Sequence, residues 1–571
     1  MAKIGTSFRN LRDRIRVAVN VKADNILFFI ALSLVVIVAI MIRLTPILRG
    51  PILIKAFDPW IQYYNAKYLS ENGIYAYFHW EDKKSWYPEG RERAILRPGV
   101  PFTAVLIYKI LIFLGFKVTL YEVCFYFPAY MGGLTVLVAY FLGKEVYNRS
   151  CGLFTAFFLA FNTGHMQRTM AGFFDNETIG VLATLMTLLF FLKTIRTGKF
   201  SYAIIGGIFL GYLTLSWGGY QFVLYIIPII TVFLILFDKY NENVLIAYSG
   251  IQGTGLLIFS YFYAFGHDNL FTDNSLLAVY LFSIILIIFH LIYVNKKNYP
   301  RFYSLLLNTI RWGLIPFFIT LAIIIWVKPE WVNLGLSGRI GSILSPLTRE
   351  ELNIVASVAE HMPSAWSVFY YNTLIPLMLL PLGLFFCFKR LRAPDILMIT
   401  FLLTLFYFTG SMIRIILLFA PAAALMGAYG LVNILKIFGT FIGEKRITPI
   451  RKRRRQLKRT VGNSEVFTVY FLVGFLCLAQ VLHATDISIN QLSYSQMVIG
   501  GEYHDWEEAL TWMKNNLDGT EVVVSWWDYG YWLTPIGNVT TVNDNDTGDS
   551  RKIGLVGMAF MQTNEIYSAK V

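Results

Sequence analysis

The sequence has few charged residues and very few cysteines. Of its 571 residues only 15% are Asp, Glu, Lys or Arg, whereas 56% are hydrophobic. So little charge excludes a soluble globular protein of ordinary composition and predicts a multi-span α-helical membrane protein. The chain has four cysteines in apolar stretches without metal-type spacing, so we expect neither a zinc site nor a disulfide framework. They are Cys124, Cys151, Cys387 and Cys477.

The N-terminus lacks a small-residue cleavage site, so the first apolar segment is expected to stay as an anchor. The positively charged residues are concentrated in a few short runs. The formal net charge is +14, and nine Lys or Arg residues lie between Lys445 and Arg459. Basic runs beside apolar segments are what the positive-inside rule produces, so we expect no nucleic-acid partner.

Thirteen apolar runs are long enough to span a bilayer. They lie near residues 25–44, 100–116, 124–143, 178–194, 202–216, 219–237, 245–266, 276–294, 311–327, 367–388, 394–409, 412–437 and 467–484. A further run, Cys151–Phe161, is short and is interpreted as an interfacial or re-entrant helix. A cytoplasmic N-terminus then keeps the basic loops inside. The outer face receives residues 45–99, 144–177, 328–366 and everything after about 485.

Two regions follow from this topology. Residues 1–485 form a transmembrane domain with its acidic and aromatic loops outside, and residues 486–571 form an extracytoplasmic α/β domain. In that second region Asp505–Lys514 has helical spacing and Glu521–Ser525 is a short strand. The segment Trp526-Trp527-Asp528-Tyr529-Gly530 (WWDYG) begins where the strand ends, which is where open sheets bind ligands. The alternative is an aromatic cluster packed against the membrane domain.

Four carboxylates lie beside membrane spans on the outer face. They are Asp58, Asp175, Glu177 and Glu360. Asp175 taken alone could be a helix N-cap. Asp175 and Glu177 together offer two hard oxygen ligands of the kind that Mg²⁺ or Mn²⁺ prefers. The loops that carry these acids could converge on one divalent ion.

Two arginines lie near these acids in apolar surroundings. Arg414 lies within TGSMIRIILLFAPAAAL, and Arg168 precedes Asp175 in HMQRTMAGFFDNE. An unpaired cation is expensive in such a place, so one interpretation is a side chain that reaches toward the membrane surface. The other is contact with an anionic ligand, especially phosphate.

Several segments together resemble the catalytic subunit of oligosaccharyltransferase in its archaeal and eukaryotic branch. They are FDPWIQYYNAKYL, SWYPEGR (Ser85–Arg91), RTMAGFFDNE, SWGGY (Ser216–Tyr220), SVAEHMPSAW (Ser357–Trp366), MIRIILLFAP and WWDYG, in the order of that family. The resemblance runs from about residue 25 to the end. It implies a GT-C glycosyltransferase fold, with thirteen transmembrane helices followed by an extracytoplasmic domain.

The resemblance also implies an activity. An oligosaccharide would pass from a polyprenyl (dolichyl) phosphate or diphosphate carrier to the side-chain amide of Asn in an Asn-X-Ser/Thr sequon. The partners are then a lipid-linked donor and an acceptor polypeptide, and the cofactor is Mn²⁺ or Mg²⁺. By motif, Asp58, Asp175, Glu177 and Glu360 correspond to the acidic residues of the family. Arg414 corresponds to an arginine associated with the donor phosphate.

Roles for these residues follow from amide chemistry. The nitrogen of an Asn side chain is a poor nucleophile because its lone pair is delocalised into the carbonyl. As a hypothesis, Asp58 and Glu360 accept the two amide N–H bonds, and a metal held by Asp58, Asp175, Glu177 and Glu360 offsets charge on the leaving phosphate. Arg414 and Arg168 would bind that phosphate. Trp526, Trp527 and Asp528 would read the acceptor hydroxyl, because the carboxylate accepts and the indoles donate.

Other interpretations stay open. The chain could be another glycosyltransferase of the same fold that uses lipid-phosphate sugars, or a transporter of lipid-linked glycans, although transporters place ionisable groups near the bilayer midplane. The resemblance also implies a further motif beyond WWDYG. Residues 531–571 offer no convincing match, so we expect the C-terminal domain to be incomplete. We favour a single-subunit enzyme at a cell surface over an endoplasmic-reticulum complex.

Overall fold

The computed structural model describes residues 23–48, 52–54, 56–93, 97–261, 274–327, 341, 343–344, 346, 357–442, 463–490 and 504–570. The basic run Lys445–Arg459 and most of the expected outer segment 328–366 lie outside the described residues. Helices dominate the described part, and each of the thirteen predicted spans coincides with one or more of them. The membrane-domain helices are α1 Ala23–Arg43, α2 Phe57–Phe78, α3 Gly99–Phe113, α4 Leu120–Val146, α5 Arg149–Ala160, α6 Thr163–Met166, α7 Glu177–Thr197, α8 Phe200–Ser216, α9 Tyr220–Leu236, α10 Glu242–Tyr261, α11 Asn274–Val294, α12 Pro300–Val327, α13 Trp366–Thr373, α14 Ile375–Arg390, α15 Ala393–Ser411, α16 Ile416–Ile442 and α17 Asn463–Asn490.

The C-terminal region adds four short helices and a pair of strands. The helices are α18 His504–Asn516, α19 Gly530–Leu533, α20 Ser550–Met561 and α21 Glu565–Ser568. Strands β1 (Glu81–Asp82) and β2 (Arg91–Glu92) pair antiparallel in the segment after α2. Strands β3 (Val522–Val523) and β4 (Thr540–Thr541) pair in parallel, with Val522 opposite Thr540. The predicted strand at 521–525 is therefore present but shorter.

Within the described residues, eight helices are long and apolar enough to cross a membrane, or nine if the bent pair α13 and α14 is one span. Helices α3, α5, α8 and α9 are apolar but shorter. The span α16 is buried along nearly its whole length, whereas most apolar side chains of α1, α11 and α17 are exposed or only partly buried. Such exposed apolar faces fit a lipid surrounding, so the polytopic architecture predicted from composition is confirmed.

The path of the chain differs from the sequence interpretation at helix α3. Gly99, which begins α3, lies against Ser216 of the SWGGY segment, and the neighbouring Trp217 packs on Gly180, one turn from Glu177. Helix α3 therefore starts on the side of the membrane where the acidic residues lie.

The next helix, α4, starts on that same side. Tyr121 lies in its first turn, and its hydroxyl accepts a hydrogen bond from the Ile54 backbone N–H at 2.9 Å, four residues before Asp58. Only a short connection joins α3 to α4, so α3 starts and ends on one face. A span at 100–116 is wrong for this reason.

The path of the chain also differs from the sequence interpretation at Arg149–Thr169, which is not among the predicted membrane spans. At its far end α4 meets Arg390, which donates to the Val146 carbonyl at 3.2 Å, and Arg149 contacts Asn25 in the first turns of α1. From there α5, α6 and the 3₁₀ turn Gln167–Thr169 return to the side of the acidic residues. In helical geometry such a segment covers about 30 Å, a bilayer thickness.

Two expectations are corrected by this path. The segment Cys151–Phe161 belongs to a crossing stretch, so its interfacial or re-entrant interpretation is wrong. The expected outer segment 144–177 also begins on the side of the membrane opposite the acidic residues and reaches their side only near its end.

Candidate active site

Asp58 lies in the first turn of α2, followed by Pro59. Proline is tolerated in a first turn because its missing N–H would have no helical partner there. The carboxyl lies within electrostatic range of two arginines and two glutamates, namely Arg414, Glu177, Glu360 and Arg168. Burial raises the pKa of the Asp58 carboxyl above its usual value. The two arginines oppose that shift, and the neighbouring carboxylates add to it.

Glu177 begins α7, and it forms an ion pair with Arg414 of the 3₁₀ turn Ile413–Ile415. The guanidinium donates to one oxygen of Glu177, Oε1, from Nε at 3.1 Å and from Nη2 at 3.0 Å. Glu177 is almost completely buried, whereas a third of the Arg414 side chain is exposed. Arg414 is therefore a paired, partly accessible cation, which excludes the interpretation that it only reaches toward the membrane surface.

Glu360 lies on the 3₁₀ turn Ala359–His361 and faces both arginines. Its Oε1 accepts from Arg168 Nη2, and its Oε2 lies 3.8 Å from Arg414 Nε. The two arginines thus neutralise part of the negative charge. The structure brings six predicted residues from separate parts of the chain into one electrostatic cluster, namely Asp58, Asp175, Glu177, Glu360, Arg168 and Arg414.

The chemistry of the donors fits a divalent cation. Asp175 Oδ2 and Glu177 Oε2 are buried and receive no hydrogen bond from a donor group, although a buried carboxylate oxygen usually does, and the two carboxyl groups lie close enough to interact with each other. Burial, followed by the charge of Glu177 and that of Asp58, raises the pKa of Asp175 well above its usual value. A cation would satisfy both oxygens. In the described part of the chain, however, no three acidic, His or Cys side chains converge closely enough to form a complete ligand set.

The WWDYG segment (Trp526–Gly530) has one buried side and one open side. Trp527 is 6% exposed and packs with Trp86, Ile553 and Val358, the last of which lies two residues before the glutamate of the SVAE sequence. Trp526 is 37% exposed. Asp528 is half-buried, and this burial raises its pKa, against a smaller opposing effect of a hydrogen bond with Trp526. The aromatic-cluster interpretation thus describes Trp527, while Trp526 and Asp528 stay accessible.

The same segment lies directly against the start of α2. The Phe57 ring packs 4.2 Å from the Trp532 ring and 6.0 Å from the Tyr529 ring, centroid to centroid. Trp506 of α18 stacks on Tyr529 at 4.4 Å. Because Phe57 immediately precedes Asp58, the aromatic segment and the acidic cluster are neighbours along one short stretch of helix.

Comparison with known proteins shows to which family this arrangement belongs. Residues 26–427 match the family described as "Oligosaccharyl transferase STT3, N-terminal". The chain is 31% identical over 560 residues to the dolichyl-diphosphooligosaccharide–protein glycosyltransferase subunit STT3B of Arabidopsis thaliana, covering 92% of this chain and 75% of that protein. The chain belongs to the STT3 oligosaccharyltransferase family. It is a glycosyltransferase.

A second relative agrees. The stt-3 subunit of Caenorhabditis elegans is 28% identical over 578 residues, which cover 95% of this chain and 76% of that protein. Both STT3 proteins are named as subunits, so the expectation of a single-subunit enzyme has no support from them. The preference for a cell surface over the endoplasmic reticulum is likewise unsupported and stays a prediction.

The fold resembles the Archaeoglobus fulgidus oligosaccharyltransferase AglB. In complex with an inhibitory peptide and a dolichol-phosphate, AglB gives a TM-score of 0.69 at 17% identity, over 93% of this chain and 68% of that one. The same enzyme tethered to an acceptor peptide with the NVT sequon gives 0.71 at 17% identity, over 95% and 67%. Its complex with zinc and sulfate gives 0.65 at 18% identity, over 94% and 66%. The predicted enzyme class and GT-C type fold are confirmed.

Sequence reasoning missed one group of buried charges beside WWDYG. Arg93 bonds both Asp82 and Asp544, and Arg91 bonds Asp546. A signal was present, since Arg91 ends the SWYPEGR segment and the run NDND at 543–546 is unusually polar after a strand. The pairing of residues some 450 positions apart could not be inferred without the fold.

Proposed function

We propose that this STT3-family chain transfers a lipid-linked oligosaccharide to the Asn side chain of Asn-X-Ser/Thr sequons, in a metal-dependent reaction. The observation that carries the proposal is the contact of Tyr529 and Trp532 with Phe57, the residue before Asp58. This contact supports a site in which one short acceptor peptide would meet both the proposed hydroxyl-reading segment and the proposed amide-binding acid.

Asp58 and Glu360 would receive the acceptor amide. Each offers carboxylate oxygens that accept N–H bonds, and both belong to one cluster. Holding both amide hydrogens on fixed acceptors favours a geometry in which nitrogen conjugation is weakened, and it points the nitrogen toward the anomeric carbon. Arg168 holds Glu360 and thereby fixes its orientation.

Asp58, Asp175 and Glu177 would hold the divalent cation, with Glu360 as a further ligand, although no three of these described carboxyl groups converge on one point in this structure. The two oxygens of Asp175 and Glu177 that receive no hydrogen bond from a donor group support this assignment. When bound, Mn²⁺ or Mg²⁺ would supply positive charge that offsets the negative charge of the leaving phosphate.

Arg414 and Arg168 would bind the donor phosphate. A guanidinium has five N–H donors, so Arg414 can keep Glu177 and still offer donors to phosphate oxygens. A third of its side chain and about a quarter of that of Arg168 are exposed, which leaves room for a ligand. In the AglB complex, the bound molecules are an inhibitory peptide and a dolichol-phosphate, the two classes proposed here.

The WWDYG segment would select the residue two positions after the acceptor Asn. Asp528 accepts a hydrogen bond from the hydroxyl, and the indole of Trp526 or Trp527 donates or packs. A site built around a hydroxyl rejects acceptors that lack it by up to roughly 10⁴–10⁵-fold. The NVT sequon of the peptide tethered to AglB carries such a hydroxyl at that position.

The test is transfer to a fluorescent Asn-X-Thr peptide, read as a gel shift. Membranes that contain the protein are supplied with lipid extract from its source and with Mn²⁺ or EDTA. Parallel peptides replace Asn by Gln or Thr by Ala. We expect a shift for the parent peptide alone, with Mn²⁺ present and EDTA absent. Equal shifts with the Ala peptide would contradict sequon selection, and transfer in EDTA would contradict metal dependence.

A further inference from the structure

A buried ionic network connects the segment after α2 to the C-terminal domain. At its centre Arg93 Nε donates to Asp82 Oδ2 at 2.9 Å, and Arg93 Nη2 donates to Asp544 Oδ2 at 3.4 Å. The three residues are 0%, 2% and 0% exposed in the order Arg93, Asp82, Asp544. Buried charges of this kind need fixed partners, so the network resists any shift of one part against the other.

Asp544 is held from several directions at once. Its Oδ1 accepts from the Trp86 indole N–H at 2.8 Å and from the Asp546 backbone N–H at 3.0 Å. The Ser85 hydroxyl donates to Oδ2. An ionised carboxylate accepts all these bonds, whereas an amide in its place would turn one acceptor into a donor. Because each of these neighbouring groups donates a hydrogen bond to Asp544, an ionised carboxylate matches this site better than an amide would.

On one side the network reaches the helix that carries Asp58. The Tyr64 hydroxyl donates to Asp82 Oδ1 at 3.5 Å, and Trp80 stacks on Tyr68 at 3.7 Å between ring centroids. Tyr64 and Tyr68 both belong to α2, in the turns that follow its first turn. A displacement of Asp82 would therefore be transmitted along α2 to its start.

On the other side the network reaches WWDYG. A Cβ added at Gly530 would lie 2.4 Å from the Asp544 Cβ, so the two backbones are in direct contact. The next residue, Asn545, donates from Nδ2 to the Asp528 carbonyl at 2.8 Å and accepts from the Tyr531 N–H at 3.1 Å. The position of Asp528 is therefore tied to that of Asp544.

We propose that Arg93, Asp82 and Asp544 are positioning residues that set the separation between Asp58 and Asp528. This inference rests on the proposed function, in which Asp58 binds the acceptor amide and Asp528 reads the hydroxyl two residues later. A fixed separation makes the enzyme sensitive to the spacing and identity of the hydroxyl residue. Loosening this separation weakens acceptor binding and hydroxyl selection.

The first test is Asp544→Asn, which keeps the shape of the side chain and removes its charge. We expect the KM for an Asn-X-Thr peptide to rise about tenfold, as the loss of charge-assisted hydrogen bonds predicts. We expect kcat at saturating peptide to change little, and the preference for Thr over Ala to fall. Trp86→Phe removes one N–H donor to Asp544 and keeps every charge, so a smaller KM shift in the same direction is expected.

The matched control is Glu89→Gln. Glu89 pairs with Lys552 at 2.5 Å between the same two parts of the chain, but its side chain is 67% exposed. An exposed pair contributes little, so the KM should stay at the wild-type value. A purely structural role for Asp544 would lower the amount of active enzyme without moving KM. Wild-type KM values in both Asp544→Asn and Trp86→Phe would overturn the proposal.

A second readout does not depend on activity. In Asp544→Asn, amide hydrogen exchange should become faster in peptides that cover Trp526–Leu533 and should stay unchanged in α10 of the membrane domain. Unchanged exchange at Trp526–Leu533 would overturn the positioning role even if transfer were normal. Absence of transfer by the wild-type protein, with the donor lipid present, would instead contradict the proposed function.

Discussion

Asp58 combines partial burial with a position in the first turn of α2, beside two arginines and three further carboxylates. If it accepts the acceptor amide, Asp58→Ala should lower transfer by roughly 10²–10³-fold or more, the usual loss when one preorganised hydrogen-bonding group is removed. The measurement is initial transfer rate at saturating peptide. The control is Glu81→Ala, because Glu81 lies on β1 and is half-exposed. Substantial activity in Asp58→Ala would contradict the assignment.

The environment of Asp528 predicts how the KM for the acceptor peptide depends on pH. Burial raises the pKa of this carboxyl, so it takes up a proton at a higher pH than a free aspartate does. The protonated form is a weaker acceptor for the hydroxyl. The KM for an Asn-X-Thr peptide should therefore rise as the pH falls through the pKa of Asp528. Asp528→Asn should remove that dependence, and an identical KM profile in the variant would show that another group titrates.

Among the secondary-structure elements, the start of α19 at Gly530 packs closely against Asp544. Gly530 has a helical φ of −56°, so its requirement for glycine comes from its contact with Asp544 and not from backbone conformation. Gly530→Ala should lower the free energy of unfolding by about 1–3 kcal/mol, because the added methyl must displace backbone atoms. Thermal unfolding in detergent measures this.

The control for this substitution is Gly554→Ala in α20. A Cβ at Gly554 meets no atom within 4 Å. Alanine there should be neutral or stabilising by about 0.5–1 kcal/mol, because glycine is unfavourable within a helix. Equal destabilisation by both substitutions would show that the contact with Asp544 is not the cause.

The path of the whole chain yields a labelling test. Lys117 lies between α3 and α4, and the structure puts this connection on the side of Asp58, whereas a membrane-spanning α3 would put it inside. In a Cys477→Ser background, Lys117→Cys should react with a membrane-impermeant maleimide added from outside. Glu81→Cys is the accessible control. Arg149→Cys should react only after the membrane is permeabilised, and the reverse pattern would contradict the path.

The helices could be predicted because each is a local property of the chain. Apolar length predicted a helix in each of the thirteen runs, although the run at 100–116 does not cross the membrane. The acidic motifs along the sequence picked out Asp58, Asp175, Glu177 and Glu360, which lie in one cluster. The side on which α3 ends could not be predicted, because length and hydropathy do not distinguish a helix that crosses from one that packs along one face. The two misassigned segments, α3 and Arg149–Thr169, compensated each other, so the later loops kept their sides.

The sequence by itself determined the class of protein, because its apolar composition is typical of membrane proteins and its short motifs occur in the order of one family. Only the tertiary structure decided which side chains meet. It paired Arg414 with Glu177 and Arg168 with Glu360, packed Phe57 against Trp532, and buried Arg93 between Asp82 and Asp544. These contacts join residues far apart in the chain, and their energies depend on distance and burial, which a linear sequence does not contain.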